Sequence, residues 1–167
     1  MDFTPGIFDV EVKQGYPGKR IQGTVGQQLA IYVTTYSPIQ MLADLPENYE
    51  GKPALQFLKD VPTDWEDTKV LNGEIGQYIT TARKDRNSAD WFLGSITNEN
   101  PRDLEISLSF LDKNATYEAQ IYADAEGTDQ KHNPEAVAIS KKTVKASDSL
   151  KLHLGGAGGT AIRFKKL

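Results

Sequence analysis

Apolar positions come in helix-like blocks over the first 60 residues, and after residue 64 they alternate with polar ones. From Thr24, the residues Val25, Leu29, Tyr32, Val33 and Tyr36 recur at spacings of three and four, one face of a helix. Ser37-Pro38 ends it, because the residue before a proline is driven out of helical geometry. Residues 39–42 form a short apolar run, the pattern of a strand buried on both faces. Pro53 then opens a second helix with Leu55, Leu58 and Phe57 facing inward. Helix, buried strand and helix within about 40 residues is the rhythm of an α/β barrel. A closed barrel takes roughly 250 residues and eight strands, so this stretch supplies at most about a quarter of one.

The remainder reads as antiparallel β. Strands are expected at 69–71, 74–83, 91–97, 104–110, 116–123, 136–139, 150–154 and 160–165. Turn residues separate them, at Asn72-Gly73, 98–101, 112–114, 127–129, Ser147-Asp148 and 155–159. Short strands with this punctuation and no long helix imply a sandwich. The fold class expected is α+β: C-terminal (β/α) units of a TIM-type barrel over residues 1–63, then an antiparallel β-sandwich over 64–167. The short junction around 61–65 predicts that the two parts pack together.

Composition narrows the function. A net charge of −4 argues against nucleic acid, since phosphate binding needs a concentrated positive field. The densest basic group, Lys141, Lys142 and Lys145, is explained by a solvated strand edge. No cysteine is present, which removes disulfides, thiolate nucleophiles and Cys-ligated zinc. The N-terminal residues have neither a basic nor an apolar region of signal-peptide type, and no run is long enough to span a bilayer.

The blocks MDFTPGIF, QLAIYVTTYSPIQMLADLPENY, LQFLKDVPTDWEDTKVLNGEIGQYITTARK, DWFLGSITNENPRDLEISLSFL, YEAQIYADA, NPEAVAI and GGAGGTAIRF follow one another along the chain. In that order they resemble the C-terminal end of glycoside hydrolase family 97, bacterial α-glucosidases and α-galactosidases. The resemblance covers essentially the whole chain. It implies a parent enzyme with an N-terminal β-sandwich, a (β/α)8 catalytic barrel and a C-terminal sandwich that aids oligomerisation. It also implies calcium near the parent's active site, a periplasmic or secreted location, and an α-linked oligosaccharide substrate. The family's catalytic carboxylates and calcium ligands precede the TPG block, so no catalytic or metal residue carries over onto this chain. The partners implied are the front part of the barrel and further copies of the same protein. This chain is therefore expected to be the back end of a larger enzyme, inactive alone. The alternative is a stand-alone carbohydrate-binding or assembly sandwich, which a platform of exposed Trp and Tyr would favour.

Glycoside hydrolysis needs two carboxyl groups flanking one bond, at the C-terminal ends of barrel strands. Two residues could approach that rim: Asp2, before the TPG turn, and Asp44, after the 39–42 run. Both are candidates for the wall of a sugar site; the competing role is satisfying N–H groups at a turn or helix start. Phe3, Phe8, Tyr16 and Tyr36 are candidates to stack on sugar but more commonly pack in cores. Trp65 and Trp91 are expected in the core or at the junction. The spaced carboxylates of 124–129 lack EF-hand spacing and read as a polar loop. His132 and His153 stand apart in sequence. Gly155, Gly156, Gly158 and Gly159 lack the P-loop pattern and are expected to supply turns of positive φ before the last strand.

Overall fold

A computed structural model describes residues 4–11 and 19–167. Three helices come first: α1 (Val25–Thr34), α2 (Pro46–Tyr49) and α3 (Leu55–Asp60). Eight strands follow: β1 (Trp65–Glu74), β2 (Tyr78–Asp85), β3 (Trp91–Thr97), β4 (Arg102–Ser107), β5 (Thr116–Asp124), β6 (Val137–Lys145), β7 (Ser149–Leu154) and β8 (Gly159–Lys166). Six of them form one sheet in the order β1-β2-β3-β8-β5-β6, and β4 pairs with β7 in a second. Every pairing is antiparallel.

The centre of the six-stranded sheet is buried on both faces, so β3 shows an almost unbroken buried run rather than alternation. One face carries Trp91, Leu93, Tyr117, Ile162 and Phe164 against Ile106, Leu150 and Leu152 of the small sheet. The opposite face carries Phe92, Tyr122 and Ala161 against Leu29, Val33 and Phe57 of the helices. Trp65 belongs to this second core, in edge-to-face contact with Phe92 at 5.8 Å. The helices thus form a third layer on the sandwich, as the short junction required.

Helix α1 presses closely on the sheet. A Cβ on Gly94 of β3 would collide with the Ala30 carbonyl, and one on Gly159 of β8 would come 2.7 Å from the Gln27 Cα. On the helix side, a Cβ on Gly26 would come 2.5 Å from the Gly159 carbonyl. Glycine at these contacts lets backbone approach backbone.

Three expectations need correction. Residues 39–42 are not a buried strand: Ile39, Met41 and Leu42 are exposed. Among the described residues no strand pairs with them; Gln40 makes an isolated bridge, Ala43 N–H donates to the Pro5 carbonyl at 3.1 Å, and side chains hold the rest of the segment. The Ser37 Oγ bonds the Ile39 carbonyl at 2.6 Å, the Gln40 amide donates to the Tyr32 carbonyl at 3.1 Å, and the Tyr32 hydroxyl lies 2.9 Å from the Met41 carbonyl. Tyr36 is exposed because α1 stops two residues before it. The hairpin turn lies not at Asn72-Gly73 but at Gly76, whose φ of 74° closes Gln77 N–H onto the Glu74 carbonyl at 2.9 Å. A register shift between Val70 and Asn72 keeps Gly73 inside β1, opposite Ile79.

Candidate functional site

The most developed polar arrangement joins the helical layer to the sandwich. Thr24 caps α1: its Oγ1 accepts from Gln27 N–H at 3.0 Å and donates to Asp124 Oδ1 at 2.6 Å. The other oxygen of Asp124 accepts from the Gly155 and Gly159 amides at 3.0 and 2.8 Å. A carboxylate at a helix N-terminus is favoured by the helix dipole. Burial nonetheless pushes the Asp124 carboxyl above its usual range, against the pull of Thr24 and the two glycine amides. The glycines do not supply positive φ here; the left-handed residue of the loop is Ala157, with φ 54°. They are needed for proximity, since a Cβ on Gly158 would overlap Asp124 Oδ2. The loop is an anion cradle filled by the protein's own carboxylate.

Nothing in the local sequence singled Asp124 out from its acidic neighbours. Its partners lie 100, 31 and 35 residues away. Asp129, five positions on, is the exposed loop residue expected: it takes the Lys131 and His132 amides at 2.6 and 2.8 Å. Its carboxyl is held down at about 2, chiefly by the His132 side chain.

Asp44 lies between residues 4–11 and α2. Its Oδ2 accepts from Phe8 and Asp9 N–H at 2.7 and 2.8 Å, and its Oδ1 from Leu45 N–H and Asn48 Nδ2 at 2.8 and 2.6 Å. Burial raises its carboxyl, but these four donors outweigh it and hold the group below its ordinary value. The structure brings Asp44 together with Tyr49, whose hydroxyl receives Asp44 N–H and donates to Gly6 carbonyl at 2.8 Å. Asp2, Phe3 and Tyr16 lie outside the described residues.

A third connection runs through Arg163 of β8, paired with Asp60 of α3 at 3.0 Å and with Asp90 at 2.9 Å. The Asp124 and Arg163 arrangements fasten residues 4–61 to the sheet, while Asp44 ties residues 4–11 to the start of α2. Residues 64–165 match the family described as "Glycosyl-hydrolase 97 C-terminal, oligomerisation". The chain belongs to glycoside hydrolase family 97.

A family 97 enzyme from Pseudoalteromonas sp. strain K8, solved in complex with acarbose, is 51% identical and superposes with a TM-score of 0.95 over 100% of this chain and 26% of its own. A retaining α-galactosidase of Bacteroides thetaiotaomicron is 36% identical over 99% of this chain and 25% of its own length. A probable retaining α-galactosidase of Streptomyces bingchenggensis is 27% identical over 96% and 23%. The chain therefore spans about a quarter of the relatives it matches.

Within this family 97 segment the remaining candidates disperse. Phe8 is buried against Tyr49 with ring centroids 5.0 Å apart, while Tyr36 is exposed beneath the Arg83 guanidinium at 5.6 Å. Trp65 and Trp91 are both buried, so neither tryptophan can offer its face to a sugar. His132 pairs with Asp129 and His153 with Asp103, at 2.9 and 2.7 Å. Among the described residues no group of three or more His, Asp and Glu could hold a metal ion. The calcium implied by the resemblance finds no donor set among them. No helix of the described residues is long and apolar enough to cross a membrane.

Proposed function

We propose that this chain completes an α-glycoside hydrolase that cleaves terminal α-glucosyl or α-galactosyl bonds of oligosaccharides. Residues 64–167 are its assembly module, and residues 1–63 are the last (β/α) portion of its catalytic barrel. The acid, base and calcium ligands belong to polypeptide ahead of this segment, and the isolated chain does not hydrolyse glycosides. The observation that carries this reading is the ribbon Tyr36, Ile39, Met41, Leu42 and Leu45, five large apolar side chains exposed within ten residues. Soluble proteins rarely leave so contiguous a patch bare, and such a patch marks a surface that another body covers. The body is the remaining three-quarters of length that the relatives possess. On this reading Asp44 and Asp2 line the sugar-facing wall; Asp44 does so at the foot of the ribbon while ordering residues 8 and 9.

Grafting this chain in place of the corresponding quarter of the Pseudoalteromonas enzyme tests the proposal with nitrophenyl α-glucoside and α-galactoside. The chimera should turn over one of them and the isolated chain neither. Turnover by the isolated chain would sink the reading. In the chimera, Asp44→Ala should lower kcat/KM more than it lowers thermal stability; lost stability with unchanged turnover would remove Asp44 from the wall.

A further inference from the structure

The assembly module must expose a surface for assembly, and its outward faces differ in character. Edge strand β6 presents Lys141, Lys142 and Lys145, the usual guard against strand addition. The outer face of β4 and β7 carries cross-strand polar pairs, Asp103 with His153, Glu105 with Lys151 and Ser107 with Ser149. The β1–β2 hairpin is different. Of the three large apolar residues exposed between 64 and 165, two lie on it, Val70 at 64% and Ile75 fully exposed, whereas Ile139 lies on β6. They flank a groove of about 570 Å³ lined also by Tyr78, Ile79 and Ile96. The groove lies on the face of the sheet that α1 covers farther along, and α1 leaves it bare.

We propose that this groove is the self-association surface of the module, occupied by the same hairpin of a second copy. The proposal rests on the family reading of residues 64–165 as an oligomerisation module and adds where the contact lies. A two-fold contact needs one patch that is complementary to itself. The hairpin has both halves of such a contact: Ile75 projects from its tip, and the groove beside it is apolar and open. Direct pairing of two β1 edges is disfavoured, because β1 is interrupted by register shifts at Trp65/Asp67 and Val70/Asn72. Side chains, not a continued ladder, make this contact. The Ile75 of each copy seats between Val70 and Ile79 of the other.

The test is sedimentation equilibrium of the 167-residue chain beside Ile75→Glu. Wild type should form a discrete dimer and Ile75→Glu should weaken it at least ~30-fold, the effect of a charge left unpaired in an apolar contact. Thermal midpoints should coincide at concentrations where both proteins are monomeric, since Ile75 is fully exposed in its own copy. Because the chain has no cysteine, Ile75→Cys mixed with Val70→Cys should give the mixed disulfide on mild oxidation, and Lys142→Cys mixed with Val70→Cys should not. A dimer indifferent to Ile75→Glu would overturn the hairpin surface and leave the oligomerisation reading standing, the groove then falling to polypeptide outside this chain. A monomer at every concentration would overturn both for this chain.

Discussion

The Thr24 hydroxyl holds two partners at once, capping α1 through Gln27 N–H and donating to Asp124 across a separation of 100 residues. Helix start and sheet end are therefore fixed by the same oxygen. Asp124→Ala leaves the Gly155 and Gly159 amides buried without acceptors, and should cost about 3 kcal/mol. Urea unfolding followed by far-UV circular dichroism measures it. A loss below about 1 kcal/mol would mean that water replaces the carboxylate.

The pH dependence has a definite sign. Because burial raises the folded carboxyl of Asp124 above its ordinary 3.8, protonation is easier in the folded chain than in the unfolded one. Its contribution is fully present below the unfolded value and fades as pH rises through the folded one. The penalty of Asp124→Asn relative to wild type should therefore be largest near pH 4 and shrink toward neutrality. Urea midpoints of both proteins across that range decide it, and a penalty that grows with pH would reverse the assignment.

Asp44 should behave oppositely. Its folded carboxyl is depressed, so its contribution is present above the unfolded value and lost as pH falls through the folded one. Amide exchange at Phe8 and Asp9 should accelerate, relative to intrinsic rates, below about pH 4. Asp44→Asn should abolish that acid sensitivity while costing about 1 kcal/mol at neutral pH.

Close packing predicts a contrast between glycines. Gly94→Ala drives a methyl into the Ala30 carbonyl and should cost about 3 kcal/mol as α1 shifts outward. Gly51→Ala meets nothing within 4 Å, and only its φ of 68° opposes it, at about 1 kcal/mol. Thermal melts of the two variants test the ordering.

Much of the β portion was legible because short strands bounded by turn residues leave a local imprint. Strand β3 falls at the expected residues, and helix α1 follows from the spacing of Val25, Leu29 and Val33. What escaped depends on partners distant in sequence. Residues 39–42 have the composition of a buried strand, but burial requires neighbours that the described residues do not supply. Asn72-Gly73 has turn chemistry, yet a bulge moved the reversal to Gly76. The Asp124 cradle joins three separate segments, and its glycines answer a need for closeness rather than for unusual dihedrals. The tightest part of the candidate site was for that reason the least visible.

Trp65 opens the first strand, yet its ring sits among Phe57, Phe92 and the helices. A proteolytic cut or gene boundary placed at residue 63 would thus peel the lid from one whole side of the sheet, leaving Phe92, Tyr122 and Ala161 wet. The smallest piece that keeps this face of the sheet covered begins before Thr24, well ahead of where the family's own match starts.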